Sequence, residues 1–195
     1  MEKSGAGTGV ILAGGKNIRM GVNKAFLRVG GERLIDRTVR VFRSLFPEVL
    51  IVTNSPLEYL DQNATLVTDV YPGKGALGGI YSGLFFSSSP QVFVAACDMP
   101  YLDVDFIRYM KDGADDFDIV VPRTPEGLQP LHAIYSQRCL EPVRRSLEAD
   151  RLKITSFYKG LRIREIPPDV ISTFGRRDRM FLNVNSRQEL ALLQA

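Results

Sequence analysis

The stretch from Gly9 to Lys24 holds the residue types most able to do chemistry. An apolar run, Val10, Ile11 and Leu12, empties into Ala13, Gly14 and Gly15, and the cations Arg19 and Lys24 follow. Glycines let backbone N–H groups approach a polyanion without a Cβ in the way. Lys24 is a compact charge on a flexible stem, able to return to that anion and stabilise charge gathering on it during reaction. Arg19 can share the task. The layout suits a nucleoside triphosphate, although a solvated loop after a core strand has the same composition.

Two well-known phosphate loops can be tested against this stretch. A Walker A loop needs a glycine, four residues, then Gly-Lys followed by Ser or Thr. Here Gly15-Lys16 is followed by Asn17, and Val10 stands where the first glycine belongs, so a P-loop NTPase is excluded. A dinucleotide fingerprint does occur, as Gly73, Gly75 and Gly78 with Asp98 twenty residues beyond the last. That fingerprint normally occupies the first strand-to-helix turn. Here two strand patterns, Asp69 and Pro72 precede it, so it reads as a second phosphate or base loop.

Asp98 ends the apolar run at 92–97 and precedes Met99 and Pro100. A carboxylate at the end of a buried strand can hold Mg²⁺, which takes oxygen ligands and often only one or two from protein when phosphates supply others. A loop-initiating Asp satisfied by backbone N–H groups is the alternative. Asn185 is a second candidate ligand through its amide oxygen, or it sets up the helix cap at Ser186. Asp69, ahead of the second loop, can accept from a purine's amino and imino groups or from ribose, or can serve the turn at Pro72-Gly73. His132, the only histidine, lies among apolar residues and gets a positioning role at most. A phosphate nucleophile, with its second pKa near about 6, needs no base at neutral pH. The C-terminal arginines at 144, 145, 162, 164, 176, 177 and 179 read mainly as solvated faces. Those near Phe174-Gly175 can receive an anionic acceptor.

These groups need a rigid frame. A chain of 195 residues with 45% hydrophobic residues is long enough for a substantial core. It reads as one domain over 1–195, with residues 1–8 a flexible lead-in. The net charge of +3 is modest and interspersed, which suits small anions and argues against nucleic acid as partner. Cys97 and Cys139 lie outside any CxxC pattern and read as core thiols in a reducing compartment. The apolar run after the polar N-terminus is too short for a signal peptide or membrane span, so a soluble cytoplasmic protein is expected.

Strand-length apolar runs recur at 10–12, 49–52, 66–67, 92–96 and 119–121. Between them, one helical face is marked by Leu34, Ile35, Thr38, Val41, Phe42 and Leu45, and another by Leu77, Ile80, Tyr81, Leu84 and Phe85. Asp103 is placed to N-cap a helix carrying Phe106, Ile107 and Met110. Unbroken apolar strands alternating with helices predict an α/β three-layer sandwich, with a mainly parallel Rossmann-like sheet. Beyond residue 122, prolines and glycines precede a run at 131–135, which predicts some antiparallel strands in the C-terminal half. A short strand is predicted at 181–185, then a closing helix capped by Ser186 with Glu189 at its third position. In such sheets ligands bind beyond the carboxyl ends of strands, which gathers Gly14, Asn54, Asp69, Asp98 and the glycines at 73–79 on one rim.

In these residues the chain resembles the MobA-type molybdenum cofactor guanylyltransferases of the nucleotidyltransferase superfamily, over nearly its whole length. Leu12-Ala-Gly-Gly, Arg19-Met-Gly and Lys24 are similar to the family's nucleotide loop. Asp69 with Gly73-Lys-Gly-Ala-Leu-Gly-Gly79 resembles its second loop, where proline commonly stands at the position of Ala76. Cys97-Asp98-Met-Pro100 is similar to its metal-binding strand end, and Asn183-Val-Asn185 to its Asn-x-Asn segment. The resemblance implies a nucleotide-diphospho-sugar transferase-like fold that binds GTP through Leu12, Ala13, Gly14, Gly15, Lys24, Asn54, Asp69, Gly78 and Asp98. Mg²⁺ would sit on Asp98 and Asn185, with Lys24, Arg19 and Asp98 catalytic. GMP would pass to the terminal phosphate of molybdopterin, or Mo-molybdopterin, with release of pyrophosphate. Other cofactor-biosynthesis proteins, apo-molybdoenzymes or their chaperones would be partners. A cytidylyltransferase or a sugar-phosphate nucleotidyltransferase of the same superfamily, a non-catalytic nucleotide-binding regulator, and an NAD(P) dehydrogenase using Gly73 to Gly78 are the competing readings.

Overall fold

A computed structural model describes residues 6–14, 23–175 and 179–184 of the chain. In chain order it forms β1 (Thr8–Leu12), β2 (Arg28–Val29), β3 (Glu32–Arg33), α1 (Leu34–Arg43), β4 (Glu48–Val52), β5 (Thr65–Val67) and α2 (Gly75–Phe86). Then follow β6 (Gln91–Ala96), α3 (Val104–Lys111), β7 (Ile119–Thr124), β8 (Gly127–Leu128), β9 (His132–Ser136), α4 (Leu140–Glu148), β10 (Ile163–Ile166) and α5 (Pro168–Ile171). The main sheet runs β10-β7-β9-β6-β1-β4-β5, with β8 paired to β7, while β2 and β3 form a separate ribbon. Four of the six pairings along that path are parallel, and the two that β9 makes, with β6 and β7, are antiparallel.

The central parallel strands β1, β4 and β6 are buried on both faces, as their unbroken apolar runs require. Side chains of β1 alternate: Ile11 joins a core with Ile35 and Phe42 of α1 and with Phe106 and Met110 of α3. Val10 and Leu12 join a second core with Leu77, Ile80 and Leu84 of α2 and with Val143 and Leu147 of α4. Two helical layers therefore sandwich the sheet. On α1 the buried stripe is Leu34, Ile35, Thr38, Val39 and Phe42; Val41 and Leu45, expected on it, are only partly buried. The stripe on α2 also stops short of expectation, since Phe85 is 53% exposed. The N-cap at Asp103 holds: its carboxylate accepts from the Asp105 and Phe106 N–H groups, both at 3.0 Å.

From β1 the chain steps to β4 and β5 on one side, then returns through α2 to β6 on the other. The switch point of the sheet thus lies between β1 and β6, where an open α/β sheet leaves a crevice at the carboxyl ends of its strands. Two sequence expectations are corrected. The first strand begins at Thr8, which is buried with Ala6 ahead of it, so Ala6 to Thr8 are part of the packed fold. Residues 181–184 form no strand. Instead the Val184 N–H donates to the Asp98 carbonyl at 2.9 Å, and its side chain packs with Val29 and Leu34. The antiparallel strands expected beyond residue 122 are β9, paired with β6 and β7, and β8, paired with β7, while β10 adds a parallel strand at the sheet edge. The closing helix lies outside the described residues.

Candidate active site

Each strand bordering the switch point ends in a residue already singled out. After β1, the Ala13 N–H donates to the Val52 carbonyl at 2.9 Å, which carries the strand pairing up to the edge of the first loop. Leu12 and Ala13 are buried and Gly14 is exposed. Among the described residues, a Cβ at Gly14 would meet only the Val52 carbonyl, at 4.0 Å. Gly15 and Arg19 fall outside the described residues. Lys24 re-enters at a 3₁₀ turn, Lys24–Phe26, capped by Asn23, whose Oδ1 accepts from the Ala25 N–H at 3.1 Å.

Asp98 follows β6 at half burial, with the Cys97 N–H donating to the Leu12 carbonyl at 3.1 Å. Burial raises its carboxyl above the usual carboxylate range, and the Lys24 ammonium pulls the other way. The Cys97–Leu12 hydrogen bond sets this desolvated carboxyl beside the end of β1, across the switch point, a juxtaposition that the separated motifs could not show. Asn185, its expected companion, lies outside the described residues.

The second loop converges on the same rim. The Asn54 Nδ2 donates to Asp69 Oδ2 at 2.8 Å, and the Asp69 N–H donates back to Asn54 Oδ1 at 3.3 Å. The other oxygen, Oδ1, is buried and makes no hydrogen bond among the described residues. Burial raises this carboxyl too, offset in part by Asn54 and the nearby Ser82 hydroxyl. Gly73 and Gly75 take φ of +79° and +61°, left-handed conformations that glycine adopts without penalty. Gly78 is buried in the first turn of α2, where a Cβ would meet the Tyr71 carbonyl at 3.0 Å. Its N–H donates to the Lys74 carbonyl at 3.4 Å. Lys74 itself is tied to Asp150 at 2.8 Å.

Reading the sequence missed three residues here. Ser82 is buried, accepts from the Val70 N–H and donates to the Gly78 carbonyl, both at 2.9 Å, and so braces the second loop. Tyr59 is fully buried and bonds to both Ala13 and Asn23. Asn23 carried one local signal, being a capping residue type directly before Lys24; Tyr59 and Ser82 carried none.

His132 stays out of the rim. It is fully buried on β9 among Phe93, Phe106 and Phe181, with ring centroids 5.0, 5.7 and 5.2 Å away. Neither ring nitrogen has a hydrogen-bond partner among the described residues, and burial pulls its pKa down from 6.5 to about 3. The unfolded chain therefore binds a proton that the fold refuses. The stability cost is absent above pH 6.5 and grows as pH falls towards 3, by up to about 1.4 kcal/mol per pH unit. His132→Leu should remove this term: urea midpoints of parent and variant should diverge in the variant's favour as pH drops from 7 to 5. A constant gap would contradict the neutral burial.

Most of the C-terminal arginines are committed elsewhere. Arg144 pairs with Glu141 and Glu148, Arg145 with Glu141, Arg162 with Asp118, and Arg164 lies over Tyr109. Arg179 sits over Tyr101, 5.8 Å from its ring centroid; Arg176 and Arg177 are outside the described residues. Both cysteines are free, and no helix among the described residues is long and apolar enough to cross a membrane.

Comparison with known proteins agrees with this geometry. Residues 9–163 match the MobA-like NTP transferase domain. A molybdenum cofactor guanylyltransferase from Desulfosudis oleivorans is 40% identical, over 96% of this chain and 94% of its own. A relative from Pelotomaculum thermopropionicum is 36% identical over 94% of this chain and 89% of its own. Among solved structures, molybdopterin-guanine dinucleotide biosynthesis protein A from Archaeoglobus fulgidus superimposes with a TM-score of 0.82. It is 22% identical and covers 96% of each chain, a likeness of fold: the nucleotide-diphospho-sugar transferase arrangement of a mostly parallel sheet between helices.

Proposed function

We propose, starting from the fact that this chain belongs to the MobA-like NTP transferase family, that it is a nucleotidyltransferase moving GMP from GTP to the terminal phosphate of molybdopterin. Pyrophosphate leaves and a molybdopterin guanine dinucleotide forms. The observation that carries the reading is the half-buried Asp98, brought to the end of β1 at the switch point by the Cys97–Leu12 backbone hydrogen bond, on the rim that also holds the first loop and the Asn54–Asp69 pair.

In this reading the first loop receives the triphosphate, with Leu12, Ala13, Gly14 and Gly15 presenting backbone and Lys24 and Arg19 neutralising charge. The acceptor phosphate attacks the α-phosphorus in line, forming one P–O bond as the bond to pyrophosphate breaks. Positioning and charge neutralisation then supply most of the catalysis. The acceptor is already largely ionised at neutral pH, and the buried His132 is not needed as a base.

Magnesium is assigned to Asp98, with Asn185 as its second protein ligand. Among the described residues no group of three or more His, Cys, Asp or Glu could hold a metal alone. One desolvated carboxylate facing the triphosphate fits a cation that completes its shell with phosphates and water. Bound there, the ion would neutralise developing charge on phosphate oxygens. The whole chain acts as one nucleotidyltransferase domain in the cytoplasm. Other cofactor-biosynthesis proteins and apo-molybdoenzymes or their chaperones receive its product.

Incubation with GTP, magnesium and molybdopterin should yield the dinucleotide and pyrophosphate; equal turnover of CTP or ATP would overturn the guanylyl assignment. The Asp69 carboxyl, at the second loop, is assigned to guanine's amino and imino donors. A hydrogen bond to a charged acceptor contributes about 1.5–3 kcal/mol, so Asp69→Asn should lower kcat/KM for GTP by roughly 10- to 100-fold and narrow the preference over CTP. Unchanged discrimination would move base recognition elsewhere.

A further inference from the structure

We propose that Tyr59 is a positioning residue of the nucleotide site: its hydroxyl clasps both stems of the first loop and so sets where Lys24 stands. The inference rests on the reading that this loop holds GTP. Tyr59 ends the 3₁₀ turn Pro56–Tyr59, beyond β4, and is fully buried. Its hydroxyl donates to the Ala13 carbonyl at 3.2 Å and accepts from the Asn23 Nδ2 at 2.9 Å. Ala13 is the residue before Gly14, and Asn23 the residue before Lys24, so one oxygen ties the strand leaving the core to the segment that returns.

The rest of the local structure directs that tie onto Lys24. Asn23 also donates to Glu58 Oε2 at 2.7 Å, while its Oδ1 caps the turn that Lys24 opens. The Phe26 ring packs on Tyr59 with centroids 5.1 Å apart. Ring packing alone would bury the phenol, and a buried Tyr hydroxyl generally needs a partner. Bonding on both sides of a loop is a further function, because losing it frees Lys24 relative to Ala13 without removing any core side chain. Burial keeps the hydroxyl protonated, its pKa pushed up to about 12, so it remains a donor over the working pH range.

The test is calorimetric titration of Mg·GTP into four proteins: the parent, Tyr59→Phe, Lys24→Ala, and the double variant. Tyr59→Phe keeps the ring and loses the two hydrogen bonds, and should weaken binding ~10-fold in the parent background. In the Lys24→Ala background the same change should cost less than about twofold, since two changes acting through one group are not additive. Asn23→Ser, which keeps a capping oxygen but lacks the amide donor, should reproduce the Tyr59→Phe pattern. An equal loss in both backgrounds, as a merely structural tyrosine would give, overturns the clasp. So does a loss under twofold in the parent. A parent that fails to bind Mg·GTP overturns the proposed function and the clasp with it.

Discussion

Asp98→Asn is expected to lower GMP transfer by ~10²- to 10³-fold at saturating GTP, the range seen when one preorganised electrostatic partner of a transition state is removed. The substitution is nearly isosteric and leaves the backbone unchanged, so the Asp98 carbonyl still accepts from the Val184 N–H at 2.9 Å and the C-terminal segment stays docked. What disappears is the charge. In the proposed site a half-buried carboxylate would offer magnesium an anionic ligand, whereas an amide oxygen would offer only a dipole. The loss should fall mainly on kcat and on the magnesium concentration giving half-maximal rate, with GTP binding in the absence of magnesium little changed. Steady-state rates across a magnesium titration, with circular dichroism to verify folding, decide it. Unaltered dinucleotide formation would remove Asp98 from the metal site.

Gly83→Ala should destabilise the protein by about 1–3 kcal/mol, the usual cost of overpacking a filled core, although alanine is the better helix former by about 1 kcal/mol. The sign is decided by β1. An ideal Cβ at Gly83 would lie 2.6 Å from Val10 Cγ1 and 3.0 Å from Cγ2, and Val10 is fully buried. A β-branched strand residue has little χ1 freedom with which to retreat, so α2 has to lift from the sheet. That displacement carries the second loop with it, so affinity for GTP should fall alongside stability. Val10→Ala makes room, and the pair should be less destabilised than the sum of the two changes. Thermal unfolding of the four proteins measures this; a Gly83→Ala variant more stable than the parent would mean the helix does not press on β1.

How far such features were legible depends on whether their cause is local. The buried strands at the switch point could be read because an apolar run broken by glycine or aspartate is a local pattern, and each falls within a residue or two of expectation. The N-cap at Asp103 was legible for the same reason, since its partners are two and three residues away. α4 escaped notice because Glu141, Arg144 and Arg145 dominate it, with Val143 and Leu147 the apolar pair beneath. β10 escaped because Arg164 and Glu165 interrupt a half-buried edge strand, which β7 alone holds in register. Phe85 was misplaced because periodicity continues to the helix end, while the opposing core has by then run out.

The sequence by itself determined the alternation of strand and helix, the glycine loop with its cations, and the acid at the end of β6, because hydrophobic periodicity and chain-end chemistry are written in neighbouring residues. The tertiary structure alone decided which groups share the rim and which do not. It brought Asp98 to the end of β1 through the Cys97–Leu12 hydrogen bond, paired Asn54 with Asp69, joined Ala13 and Asn23 through Tyr59, and enclosed His132 among aromatic rings. Each of these depends on residues far apart in sequence that only the packing of helices on the sheet brings within hydrogen-bonding or van der Waals reach, and no local pattern encodes such a meeting.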